Sequence, residues 1–327
     1  MYYADKNGSS ENRKLSKKRK ERVLIDNTPV EEILEILCCP ECSAELKEEN
    51  DALLCTGCGR RFQVESGIPL LYPEDLDREH LREEKKLGKE MITPSADRKV
   101  SVSGKEWERS KQEFWNYVQV QASSMEKGIF LNIGCGVDLG YLRLGRPGII
   151  LAGLDIVPQL IDHLREKGMD FGVAGSVHRL PVRENSFDAL CCTDLVHHEW
   201  ERAEMILARF HSILKPGGML FLEDINAWGL GQFYKSILLP KNIHGTLRKL
   251  YHRVRGTENP PAEYEFPTSV FRIRKMMQEL GFRDITAVPL ESCPNSGRVF
   301  RRFYRLASRL PRVAEYHNFH YMLTARK

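Results

Sequence analysis

No stretch of about eighteen apolar residues occurs in this chain, which excludes a hydrophobic membrane-spanning helix. The stretch from Met1 to Asn27 is polar and lysine-rich and lacks the apolar core of a secretory signal, so an intracellular, cytoplasmic protein is expected. Neither sign of charge is in large excess: the net charge is +4 over 327 residues, too small to point to a partner by itself. What is present is ordinary for a globular chain, with 42% hydrophobic and 29% charged residues. That length can bury a full α/β core and still carry a small extra domain. Nine cysteines without a secretory signal read as metal ligands or buried thiols before disulfides.

Charge is unevenly distributed. Residues 228–327 hold eighteen Lys/Arg against seven Asp/Glu, with Arg298, Arg301, Arg302, Arg305, Arg309 and Arg312 in one short segment. Such a run is either a solvated helix face or an attraction to an anionic partner: nucleic acid, a phosphorylated lipid or a membrane surface. Residues 1–28, with Arg13 to Lys20 almost wholly basic, cannot build a core and are expected to be a disordered tail.

Residues 29–75 read as a compact unit. A short amphipathic helix, Val30 to Leu37, leads into Cys39-Pro40-Glu41-Cys42, and Cys55-Thr56-Gly57-Cys58 follows twelve residues later. Each Cys-x-x-Cys lets two thiolates grip one ion from a tight turn, and the gap suits a hairpin joining the turns. Four sulfur ligands, Cys39, Cys42, Cys55 and Cys58, suit a closed structural zinc site. Cys38 leaves a register ambiguity that the two-residue gap to Cys42 resolves in favour of Cys39. A charged stretch, 76–105, reads as an exposed helix (Asp75 to Glu90) and a linker. Glu106 to Val120 reads as a helix whose Trp115 and Tyr117 either pack in a core or close over a ligand.

The run Ile129 to Ile133 ends in Gly134-Cys135-Gly136, and Leu151 to Leu154 ends in Asp155. Two glycines let a ligand approach the backbone, and an acid about twenty residues on is placed to accept from ribose hydroxyls. This pairing predicts a nucleotide-cofactor enzyme. The third glycine of a nicotinamide-type turn is missing, Leu139 standing in its place. Strands are expected at Ile129–Ile133, Ile149–Asp155, Phe171–Ala174, Phe187–Thr193, Met219–Asp224, Phe282–Pro289 and Tyr316–Arg326. Helices are expected at Pro158–Lys167, Glu199–Leu214 and Pro267–Leu280. Alternation of the two predicts a parallel sheet with helices on both faces.

Two resemblances sharpen this reading. The stretch Val173 to Leu190, His197-His198 and the turn Leu214-Lys215-Pro216-Gly217-Gly218 follow the glycine turn in the order seen in class I S-adenosylmethionine (SAM) dependent methyltransferases, among them the ubiquinone/menaquinone type. The cysteine unit, with Phe62 and Gly67-Ile68-Pro69-Leu70 after its second knuckle, resembles the small zinc-ribbon activator of tRNA and protein methyltransferases, here fused in cis. Together they imply an α/β, doubly wound, seven-stranded Rossmann-like sheet over 106–327, with a small N-terminal zinc ribbon. By this resemblance Asn132, Gly134, Cys135 and Gly136 line the methionine and ribose part of SAM, and Asp155 holds the ribose. Ile156 touches adenine, Ser176 and Val177 its edge, and Asp194 faces the methionine end. Asn132 replaces the usual acid, Asp138 the usual next glycine and Ser176 the usual adenine-edge acid.

His198, with Asp194, is the expected general base, the alternative being that His198 packs and orients a loop. An insertion at 226–266, with Trp228 and an aromatic and basic run, is expected to cap the acceptor pocket. That composition suits an anionic or lipid-like small-molecule acceptor, and would also suit RNA. The asparagine-proline-proline-tyrosine motif of amino-directed methyltransferases is absent. A methyltransferase of small-molecule or lipid-linked acceptors is expected, the alternatives being an RNA methyltransferase and a non-catalytic scaffold.

Overall fold

The computed structural model describes residues 30–92, 102–228, 268–288 and 320–327, with Arg302, Leu306, Arg309 and Leu310; of residues 30–32 and 102–110 it describes the backbone alone. The basic tail, the body of the insertion and most of the arginine cluster lie outside the described residues. Among those described, no helix is long and apolar enough to cross a membrane.

Helix α1 (Val30–Ile36) is followed by β1 (Leu46–Glu49), β2 (Ala52–Cys55), β3 (Arg61–Glu65) and β4 (Ile68–Leu71). Helices α2 (Arg78–Ile92) and α3 (Val102–Ala122) lead to β5 (Gly128–Ile133), β6 (Ile149–Asp155), α4 (Pro158–Glu166), β7 (Phe171–Gly175) and β8 (Phe187–Thr193). Then come α5 (Ala203–Ile213), β9 (Leu214–Ile225), α6 (Val270–Glu279), β10 (Arg283–Val288) and β11 (His320–Arg326). All the described strands join one sheet in the order β1-β2-β3-β4-β7-β6-β5-β8-β9-β11-β10.

The middle of the sheet, β7-β6-β5-β8-β9, is parallel, and β11 runs antiparallel to both β9 and β10. From β5 the chain goes to β6 and β7 on one side, then crosses to β8 and β9 on the other. The crevice at the carboxyl ends of β5 and β8 is therefore the switch point where such sheets take ligands. Side chains alternate between two buried faces. Leu131, Ile133, Leu190 and Leu222 pack with Phe210 of α5 and Met277 of α6. Phe130, Cys191, Phe221 and Met322 pack with Phe114, Trp115 and Val118 of α3. Local signals set the helix starts: Pro158 opens α4, and the Ser269 hydroxyl caps α6 by accepting from the Arg272 N–H.

Residues 128–326 contribute seven of the described strands, β5 to β11, and β1–β4 of the cysteine unit extend their sheet to eleven, because β4 pairs in parallel with β7, Leu70 opposite Ala174 and Leu71 opposite Gly175. The cysteine unit thereby covers an edge that would otherwise expose unpaired backbone. Leu37 bridges to Val182, the Cys38 N–H donates to the Pro181 carbonyl (3.0 Å), and the Tyr72 hydroxyl donates to the Ile156 carbonyl (2.9 Å). The helix expected in the charged segment is α2, mostly exposed, and the linker expected after it lies largely outside the described residues. Helix α2 docks on α4 through buried Leu81 and Gly88, and a Cβ on Gly88 would meet Val157 Cγ1 at 2.8 Å.

Candidate functional site

The turn after β5 is built by left-handed glycines, Gly134 (φ 66°) and Gly136 (φ 52°). A Cβ on Gly134 would meet Leu195 at 2.4 Å, whereas one on Gly136 would meet nothing nearer than the Gly134 carbonyl at 3.9 Å. Among the described residues, the backbone at Gly136 therefore borders open space. Asp155, at the end of β6, ties this turn to the next: its Oδ2 accepts from the Gly136 N–H and its Oδ1 from the Val157 N–H, both at 2.9 Å. Burial pushes its carboxyl up to about 6 despite these donors. Asn132 is buried, and its Oδ1 has no hydrogen-bond partner, an unusual state for a buried carbonyl oxygen. An open glycine cradle, a carboxylate and an orphaned acceptor fit a ligand that presents ribose hydroxyls and an ammonium group.

The other residues expected around this ligand are placed as follows. Cys135 is buried, its Sγ 3.1 Å from where a Cβ on Gly153 would stand, and burial pushes its thiol well up, so it packs and is no nucleophile. Ile156 is half-buried and held by Tyr72. The Ser176 hydroxyl caps the short turn Val177–Arg179 by accepting from the His178 N–H (3.3 Å). Asp138, the departure at the glycine turn, has a structural task. Its Oδ1 accepts from the Gly140 N–H (2.8 Å) and its Oδ2 from Trp115 Nε1 (2.6 Å). Trp115 belongs to the core and lies directly on Gly140, where a Cβ would stand 2.1 Å from Trp115 Cδ1. Gly140→Ala is expected to destabilise the protein by about 1–3 kcal/mol through overpacking, measured by urea unfolding.

At the carboxyl ends of β8 and β9 lies a cluster of charge. Asp194 follows β8 with φ 51°, and its N–H donates to the Glu223 carbonyl (3.1 Å). Lys111 of α3 places Nζ 2.8 Å from Asp194 Oδ2 and also donates to the Glu223 carboxylate. His320, at the start of β11, bonds Glu223 through Nδ1 and lies 3.7 Å from Asp194 Oδ1. Lys111, Glu223 and His320 are all buried. Burial pushes the Asp194 carboxyl up, but Lys111 and His320 outweigh it and hold the group at about 2. Burial opposes protonation of His320, but Glu223 and Asp194 raise its imidazole above the ordinary range.

Asp224, next along β9, faces the other side of the sheet. It is fully buried, its Oδ2 accepting from the His197 N–H (2.8 Å) and its Oδ1 lying 2.5 Å from His197 Nδ1. His198, the expected base, is exposed, its ring 4.0 Å from that of His197. The structure thus brings Asp194 into an ion cluster where it stays ionised, and gives the carboxylate-backed imidazole to His197. Lys111, Glu223, Asp224 and His320 are absent from the sequence reading. Only the acid pair had a signal, since Glu223-Asp224 closes an otherwise apolar strand end.

In the N-terminal unit, Cys39, Cys42, Cys55 and Cys58 place their sulfurs within 4.8 Å of one another, with Cys39–Cys58 at 3.7 Å and Cys42–Cys55 at 3.4 Å. A tetrahedron with zinc–sulfur bonds of about 2.3 Å has edges of about 3.8 Å, so the donor set fits zinc. Cys38 stands outside this group, and burial pushes its thiol up to about 11.

Residues 131–222 match the family described as methyltransferase domain, and residues 31–67 the family described as Trm112p-like protein. The chain thus carries a methyltransferase domain and a Trm112p-like segment. A ubiquinone biosynthesis O-methyltransferase of Xylella fastidiosa is 34% identical over 128 residues, 35% of this chain and 51% of the relative. The one from Histophilus somni is 24% identical over 188 residues, 52% of this chain and 76% of the relative. The chain spans about half the length of the first of these relatives. Among solved structures, a SAM-dependent methyltransferase from Archaeoglobus fulgidus is 18% identical, covering 66% of this chain and 97% of its own, with a TM-score of 0.42. A cyclopropane synthase from Mycobacterium tuberculosis is 16% identical, covering 77% and 95%, with a TM-score of 0.46.

Proposed function

We propose that this protein is a SAM-dependent methyltransferase that methylates a hydroxyl of a small-molecule acceptor, with a structural zinc in its N-terminal ribbon. The observation that carries the reading is the tie between Gly136 and Asp155 beside open space, at the switch point of a methyltransferase domain. When bound, SAM supplies an electrophilic methyl group for in-line displacement. Gly134 and Gly136 admit it close to the backbone, Cys135 contributing main chain. Asp155 accepts from its ribose, Ile156 covers adenine, Ser176 and Val177 meet the adenine edge, and Asn132 and Asp194 meet the methionine end. Oxygen as the methylated atom is supported by the names of the relatives and by the His197–Asp224 pair.

In the tautomer that donates Nδ1–H to Asp224, the buried His197 carries its acceptor at Nε2, the atom that would take a hydroxyl proton as a methyl group arrives. This assigns to His197 the role first expected of His198. His197→Gln is expected to lower kcat about a hundredfold with SAM affinity within about twofold. An equal loss in His198→Gln alone would return the role to His198. A lipid-linked acceptor rests on the aromatic insertion, and an RNA acceptor on the zinc ribbon together with the basic segments; the insertion and those segments lie mostly outside the described residues. Transfer of labelled methyl from SAM to the lipid, RNA and soluble fractions of a cell extract separates them. Absence of binding heat at millimolar SAM would favour the scaffold reading.

A further inference from the structure

Lys111 enters none of the roles above, yet it is the most deeply committed cation in the site. It arrives from α3, the helix that packs through Trp115 on Gly140, just beyond the glycine turn, and reaches the carboxyl ends of β8 and β9. Its side chain is 5% exposed and that of Glu223 1%, whereas that of Asp194 is 26% exposed. Lys111 and Glu223 are thus more deeply buried than Asp194, the most exposed member of this group. A carboxylate on a residue with left-handed backbone, at the end of a strand, has several rotamers open to it. One oxygen is pinned by the ammonium at 2.8 Å, and the other has His320 at 3.7 Å.

We infer that Lys111 is a positioning residue of the cofactor site, its ammonium between Glu223 and Asp194 fixing the Asp194 carboxylate toward the methionine end of the crevice. The inference rests on the reading that Asp194 receives that end of SAM. It excludes the plainer role in which Lys111 only neutralises Glu223 and anchors α3. A lysine that only anchors would, when removed, disturb every ligand of the crevice alike or none. A lysine that positions Asp194 affects only ligands that carry the amino-acid end.

The probes are SAM and 5′-methylthioadenosine, which shares the nucleoside and lacks the amino-acid portion, both titrated calorimetrically into the full chain. Lys111→Met is expected to weaken SAM about tenfold or more, the equivalent of about 1.4 kcal/mol, and to leave methylthioadenosine within about twofold. Lys111→Met/Glu223→Gln removes the lysine together with its buried carboxylate partner, so that Glu223 is not stranded, and is expected to show the same selective loss. It carries the test should Lys111→Met fail to fold. Adding Lys111→Met to Asp194→Asn is expected to cost nothing further, because the two act through one contact. Unchanged SAM affinity in both lysine variants, or equal weakening of both ligands, overturns the inference. If Asp194→Asn weakens SAM and the lysine variants do not, the role of Asp194 stands and that of Lys111 falls. If Asp194→Asn itself leaves SAM affinity unchanged, the reading of Asp194 is what fails.

Discussion

Asp155→Ala is expected to weaken SAM binding about a thousandfold while the protein still unfolds cooperatively. A buried carboxylate that accepts from two ribose hydroxyls makes two charge-assisted hydrogen bonds, each contributing about 1.5–3 kcal/mol. The fold should persist because the side chain contributes little packing. Its ionised form is itself disfavoured by burial, which raises the carboxyl to about 6. The variant leaves the Gly136 and Val157 N–H groups without their carboxylate, which offsets the relief of that burial. Calorimetric titration and a thermal melt together check both halves. An unaltered SAM affinity would mean that the ribose lies elsewhere.

The same group sets a pH dependence. A carboxyl raised in the folded protein holds its proton more tightly than in the unfolded chain. Its stabilising contribution is thus present at low pH and is lost as pH rises from about 3.8 to about 6. Ribose binding requires the ionised form, so SAM affinity is expected to rise with pH up to about 6 and then to level off. Proton release on binding near pH 6, read from calorimetry in buffers of different ionisation enthalpy, should vanish in the alanine variant.

Stripping metal from the ribbon is expected to have the largest effect on the whole molecule. Structural zinc contributes on the order of 10–16 kcal/mol to small cysteine-built units, which otherwise bury too little apolar surface to fold. Here the loss would spread. Glu41 sits between two of the sulfur ligands, donates its N–H to Cys39 Sγ, and accepts from Arg60 (2.6 Å) and Arg179 (2.7 Å). Arg179 closes the turn that begins at Ser176 and Val177, and Tyr72 holds the carbonyl of Ile156. Both adenine-side segments of the proposed cofactor site thus lean on the ribbon, and β7 loses its neighbour β4 when the ribbon unfolds. Metal analysis should find about one zinc per chain. Chelation, or Cys55→Ser, should lower Tm by about 10 °C or more and weaken SAM binding together. Full metal content in Cys55→Ser, or an unchanged melt after complete metal removal, would contradict this role.

Much of the site was legible from spacing because its signals are local. Gly134, Gly136 and Asp155 announce themselves by backbone demand and by position at strand ends, and the two Cys-x-x-Cys turns by the reach of one ion. The choice between His197 and His198 was not legible. Adjacent residues on a turn point different ways, and their fates depend on which meets Asp224 across the sheet. Nor was the task of Asp138 legible, for it depends on Trp115, 23 residues away, lying on Gly140.

The order of strands and helices along the chain, the left-handed glycine turn and the pairing of the cysteines in two turns followed from the sequence by itself, because each depends on residues a few positions apart. Tertiary structure alone decided that the ribbon extends the sheet to eleven strands, since β4 and β7 lie about a hundred residues apart and neither records its partner. It also decided that a lysine on an ordinary amphipathic helix ends buried between two carboxylates. Burial and charge pairing arise only when distant segments meet, and no local pattern encodes which segments those are.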